Sequence, residues 1–155
     1  MKGLEQTEVE IVEKLVGAWT LVTWYETTAS GEIHYPLGED ALGQIVYTAD
    51  RHMSAQLVAQ SQPRFQSEDW RQATQAETAL AWKNYFGYFG TFHLDLGRQA
   101  VIHRIEGAWF PNLQGSEQIR RFVFDRDRLI LDADTQWGQV HIVWQRVHAS
   151  AANGA

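Results

Sequence analysis

The chain has no cysteine, only three prolines and two methionines in 155 residues. Without cysteine there is no disulfide framework, no thiolate nucleophile and no Cys-ligated metal. No apolar run is long enough to span a bilayer as a helix. Met1-Lys2-Gly3-Leu4-Glu5-Gln6 lacks the apolar stretch of a secretory signal. The expectation is a cytoplasmic protein that does not enter a membrane. There is no basic run and the net charge is −6, which argues against nucleic acid, whose binding rests on neutralising phosphates. His34, His52, His93, His103, His141 and His148 form no His-x-His or His-Glu-x-x-His pattern, so no metal site is expected. Ser54 has no nucleophile-elbow context, and no glycine-rich phosphate loop occurs. No cofactor is expected.

What is present is aromatic weight: 7 Trp, 5 Tyr and 7 Phe. Such residues favour strands and line ligand pockets. The length suits one domain, 1–155, with a full core. Thr7-Glu8-Val9-Glu10 is a capping-box pattern that starts a short helix ending near Leu15. Strands are expected at 19–27, 43–48 and 52–58. A helix follows over 67–83, capped by Ser67, with Trp70, Ala73, Ala76 and Leu80 at helical spacing. It covers a barrel end as a lid or a plug. From Tyr85 on the pattern is strand: 85–96, 99–110, 117–124, 128–133 and 139–147. Gly87 and Gly90 fall inside a strand, where they serve curvature or close packing. Residues 149–155 read as a disordered tail.

Eight strands in sequential hairpins, with one helix between the third and fourth, define an all-β fold. They form an antiparallel up-and-down barrel, which closes to remove exposed edges. A barrel of eight strands either fills its interior with side chains or holds one small ligand.

Gly17-Ala18-Trp19 opens the first strand and Trp144-Gln145-Arg146 closes the last. This pair resembles the structural signature of lipocalin and calycin barrels. The resemblance implies that Trp19 plugs the closed end and stacks on Arg146, with Gly17 completing the signature. Further matching elements are Gly43-Gln44-Ile45-Val46-Tyr47-Thr48, His52-Met53-Ser54-Ala55, Tyr88-Phe89-Gly90-Thr91-Phe92, Phe110-Pro111-Asn112 and Gln118-Ile119-Arg120-Arg121-Phe122. Over about residues 12–147 the chain is similar to the bacterial and fungal lipocalin-like domain family. That resemblance implies a small-molecule cavity; some relatives act as cofactor-free cyclases or pericyclases. The turn Asp50-Arg51-His52 departs from the pattern, which has glycine there.

With Trp19 inward, alternation places Tyr25, Tyr47, Ser54, Tyr88, Phe92, His103, Trp109, Gln118, Arg120, Phe122, Ile142 and Trp144 toward the interior. The hairpin about Gly97-Arg98 sets Phe92 opposite His103. Ser54 rests on pairing with Tyr47. His103, Gln118 and Arg120 share strand faces with Val101, Ile105, Phe122 and Phe124. A polar group facing an apolar interior needs a partner. His103 is either a general acid–base or a hydrogen-bonded core histidine. Arg120 faces no interior carboxylate in this register, since Glu106 and Asp95 point outward. With Gln118 it holds a ligand oxygen, or it bonds strand carbonyls or Glu106 across a slipped strand.

Two functions follow from one cavity. The first is binding of a small, mostly hydrophobic molecule bearing a carbonyl or carboxylate. The second is a cofactor-independent isomerase or cyclase using His103 and Arg120. A barrel with a filled interior is the third reading, and a monomer and a homodimer both stay open.

Overall fold

The computed structural model describes residues 7–148; the expected disordered tail, 149–155, lies outside them. Helix α1, Glu8–Leu15, is followed by β1 (Gly17–Thr28), β2 (Ile33–His34), β3 (Leu42–Tyr47) and β4 (His52–Val58). Helix α2, Gln75–Lys83, precedes β5 (Tyr85–Asp95), β6 (Ala100–Ala108), β7 (Glu117–Asp125), β8 (Arg128–Thr135) and β9 (Gly138–Arg146). Neighbours pair antiparallel from β1 through β3 to β9, and β9 returns to β1. Eight strands therefore close a barrel, as the hairpin pattern predicts. The ninth, β2, is a two-residue addition to the far end of β1, through Glu26↔His34 and Thr27↔Ile33.

Thr7 caps α1 with the full reciprocal box to Glu10. The helix turns Ile11, Val12 and Leu15 into the core and so stoppers one end of the barrel. Its last carbonyls have no partner within the helix. The Trp19 indole N–H donates to the Leu15 carbonyl at 2.9 Å. Arg146 Nη1 donates to the Val16 carbonyl at 3.0 Å and Nη2 to the Lys14 carbonyl. The guanidinium carbon lies 4.0 Å from the Trp19 ring centre. One arginine thus satisfies a helix end through its hydrogen bonds and, by stacking on Trp19, ties the first strand to the last. Arg146→Leu strands two carbonyls and removes the stacking, an expected loss of about 2–4 kcal/mol. Urea denaturation of both proteins reads it; a change below about 0.5 kcal/mol, the scale of a neutral surface substitution, removes the clasp from the account.

The second helix differs from expectation. Thr74, not Ser67, caps it, with Glu77 completing the box. Residues Trp70–Gln72 form a separate 3-10 turn, and Trp70 is 80% exposed. No residue of α2 is buried, so it is not a plug. It meets the barrel rim through Trp82, whose ring lies 5.5 Å from that of Trp109 and whose carbonyl accepts the Trp109 indole N–H at 3.2 Å.

Two bulges and one turn set which side chains point inward. In β1, Leu21 faces Trp144 but Thr23 faces Val143, so Val22 is an extra residue. In β6, Glu106 is extra between Ile105 and Gly107, opposite Gly90 and Phe89. In the β3–β4 hairpin, the Thr48 N–H donates to the His52 carbonyl and Arg51 takes a left-handed φ of 69°. That is the conformation for which the sequence pattern led one to expect glycine.

Candidate functional site: a barrel cavity with one open end

At the end away from α1 the barrel encloses a cavity of about 490 Å³, within the size range of small-ligand sites. Its mouth is aromatic: Trp109, Phe110 and Trp137, the last 76% exposed. The walls carry Trp24, Phe86, Tyr88, Leu57 and Ile142, and Ile45, Leu131 and Trp144 line it too. Polar lining comes from Glu26, His103, Gln118, Arg120 and Thr135. A separate surface groove beside α1, bordered by Lys14, Leu96 and Phe124, shares no lining residue with the cavity.

Most of the expected interior residues face inward. Phe92 pairs with His103 as the Gly97-Arg98 hairpin requires. Tyr88, His103, Trp109, Gln118, Arg120, Ile142 and Trp144 all line the cavity. Tyr47, Phe92 and Phe122 are buried but lie outside its lining: Tyr47 packs edge-on against Phe92 at 5.0 Å, and Phe122 borders the groove beside α1.

Two residues are corrected. Tyr25 lies on the outer face, 4.9 Å ring to ring from His141 and 6.0 Å from Tyr35. The extra residue at Val22 rotates the rest of β1 and brings Trp24 and Glu26 inward in its place. Ser54 also points away from the cavity. The three-residue loop sets Tyr47 opposite Met53 and leaves Ser54 opposite Val46, where it accepts from Gln56 Nε2. One sequence signal of the β1 bulge exists. Trp19 and Trp24 are an odd number of positions apart, so both can face inward only across an extra residue.

His103 is the most enclosed polar side chain, 1% exposed. Its Nε2 lies 2.7 Å from the Tyr47 hydroxyl and its Nδ1 2.6 Å from that of Tyr88. Burial first, then the nearby charge of Arg120, push its pKa from 6.5 down to about 3. The ring is therefore neutral at neutral pH. Burial pushes both phenols above 10, against an opposing pull from Arg120.

Arg120 has weak protein partners. Nη2 reaches Gln118 Oε1 and Nη1 the Ile119 carbonyl, both at 3.4 Å. Among the described residues no carboxylate lies within ion-pair distance of it. Glu106 sits exposed at the β6 bulge and does not reach it. Two further donors are stranded: the indole N–H groups of Trp24 and Trp144 are buried without a partner. Buried donors without acceptors are rare in native proteins. Among the described residues no cluster of His, Asp and Glu is placed to hold a metal ion, and no helix is long and apolar enough to cross a membrane.

The closed antiparallel barrel, stoppered by a helix and clasped by Trp19 and Arg146, is of the lipocalin type. A family profile described as "Lipocalin-like domain" matches residues 16–147. The chain belongs to the lipocalin-like domain family, whose barrel suits ligand binding in general. Among solved structures it is similar to a redesigned β-barrel, at 12% identity and a TM-score of 0.46, covering 88% of this chain and 95% of that one. A search of curated proteins gave no match.

Proposed function

We propose that the barrel binds a small, mostly hydrophobic molecule carrying a carbonyl or carboxylate oxygen. The observation that carries this reading is the surplus of donors around an aromatic cavity. Arg120 lacks an anionic partner, and two buried indole N–H groups lack any partner. An oxygen acceptor inside the cavity gives Arg120 the partner it lacks, whereas a wholly apolar ligand leaves it with its two long contacts. Glu26, at the same lining, disfavours a second negative charge near the mouth. The acceptor therefore belongs on the Arg120 side.

Titration with 2-naphthoic acid tests this. Hydrogen bonds to a charged group contribute about 1.5–3 kcal/mol, so Arg120→Leu is expected to weaken binding roughly 10- to 100-fold. Undiminished affinity sinks the assignment.

A second reading keeps the same cavity for a cofactor-independent isomerase or cyclase, with Arg120 polarising a carbonyl and His103 in the hydrogen-bonded wall. The phenol–imidazole–phenol arrangement favours it. A neutral His103 with a pKa of about 3 makes that wall a hydrogen-bond scaffold at neutral pH. The rate of such an enzyme is expected to be flat from pH 5 to 8. A limb in that range, lost in His103→Gln, returns His103 to general acid–base duty.

A further inference from the structure

A neutral imidazole has one donor nitrogen and one acceptor nitrogen. Both nitrogens of His103 meet a phenol oxygen, Tyr47 on one side and Tyr88 on the other. The ring must donate to one and accept from the other, so the chain Tyr47–His103–Tyr88 has a direction.

Burial selects that direction. The Tyr47 hydroxyl has His103 as its one side-chain partner among the described residues, and the residue is 1% exposed. Its ring is hemmed by Phe92 and it does not line the cavity. If Nε2 carried the proton, the Tyr47 O–H would be a buried donor with no acceptor, which is the unfavourable arrangement. The opposite direction pairs the Tyr47 hydroxyl and both imidazole nitrogens. Tyr47 donates to Nε2, and Nδ1–H donates to the Tyr88 oxygen. The proton left over is that of Tyr88, and Tyr88 does line the cavity.

We infer that Tyr47 holds His103 as the Nδ1–H tautomer, and that Tyr88 is thereby the hydroxyl donor presented to a carbonyl oxygen of the cavity's ligand. The direction of the chain stands on the geometry of three side chains. Its use toward a ligand rests on the cavity-binding reading above. Tyr88 joins Arg120 as a donor at the cavity lining. The site accordingly selects a ketone or aldehyde over a hydrocarbon of the same shape. Arg120 acts on Tyr88 against burial: its positive charge opposes the rise that desolvation imposes on the phenol.

Two measurements test it. A long-range proton–nitrogen correlation spectrum of the ¹⁵N-labelled protein at neutral pH reads the His103 tautomer directly. Protonated Nδ1 with bare Nε2 is expected; a protonated Nε2 overturns the inference. Second, 2-acetylnaphthalene and 2-ethylnaphthalene share a shape and differ by one oxygen. The carbonyl stretch of bound 2-acetylnaphthalene is expected at lower frequency than in hexane. In Tyr88→Phe that shift is reduced, with the part due to Arg120 remaining, and the preference for ketone over hydrocarbon falls at least about five-fold, roughly the worth of one net hydrogen bond, with 2-ethylnaphthalene still bound. An unshifted stretch in the native protein, or an unchanged preference in the variant, overturns the role of Tyr88. If neither naphthalene binds, the cavity-binding reading falls and takes the ligand role of Tyr88 with it. The tautomer spectrum still decides the direction of the chain.

Discussion

Between pH 7 and pH 5 the protein is expected to lose about 2 kcal/mol of unfolding free energy through His103 alone. The unfolded chain takes up this proton near 6.5, whereas the folded chain holds it off until about 3. Between those values the unfolded state binds more protons, so stability rises with pH and falls on acidification. The physical cause is burial: a charged imidazole between Tyr47 and Tyr88 has lost its water and faces Arg120. Carboxylates act in a lower window. Hydrogen bonds hold Asp50, Asp95 and Asp134 below the usual range, Asp50 through Thr48, Asp95 through the Arg98 backbone and Asp134 through Arg121. Their contribution is present above the unfolded carboxylate pKa, near 4, and disappears only below it. Urea unfolding at pH 7 and pH 5 isolates the histidine. His103→Gln keeps one donor and one acceptor but cannot titrate, so its stability is expected to be nearly level across the interval. Equal stability of the native protein at both pH values, or an unchanged slope in the variant, removes His103 as the source.

Gly90→Ala is expected to cost more than about 4 kcal/mol, the range reserved for a named structural failure. A Cβ at Gly90 would lie 1.8 Å from the Arg104 carbonyl oxygen, 2.9 Å from its carbon and 3.0 Å from the Glu106 nitrogen. All three are backbone atoms of the paired strand β6, so no rotamer change relieves the clash. They come that close because the bulge at Glu106 bows β6 against β5. The substitution forces apart two strands on the barrel wall next to Tyr88 and His103. Gly97→Ala is the control: its nearest atom is the Asp95 Oδ1 at 3.5 Å, and it is expected to be neutral or slightly stabilising. Thermal unfolding of both variants separates them, since a 155-residue protein shifts its midpoint by roughly 2–4 °C per kcal/mol. A Gly90→Ala protein as stable as its parent excludes the close approach.

The barrel itself was legible because the unbroken run of hairpins from Tyr85 to Arg146 leaves few alternatives for a chain with so many strands. The capping box at Thr7 and the pair Trp19 and Arg146 were legible because each is a local rule that the fold obeys. The cavity wall was legible wherever alternation runs unbroken, as along β6 from Val101 to Ile105 and along β7 through Gln118 and Arg120. It failed where the count of residues changes. A single extra residue at Val22 exchanged Tyr25 for Trp24 and Glu26, and one position of hairpin register exchanged Ser54 for Ala55. Bulges leave little trace in composition, because the extra residue needs no special side chain. The α2 start was missed for another reason. Ser67 and Thr74 are both adequate caps, and only Thr74 has a glutamate three residues on.

The stopper formed by α1 has a kinetic consequence. Sealed at that end by Ile11, Val12 and Leu15, the barrel is a blind tube with its aromatic rim at the opposite end. A molecule inside must leave by the way it came, past Trp109, Phe110 and Trp137. A competitor cannot push it out from behind. Exchange is therefore first-order in the occupied barrel: raising the competitor concentration refills emptied barrels without hastening the emptying, and residence time belongs to the rim.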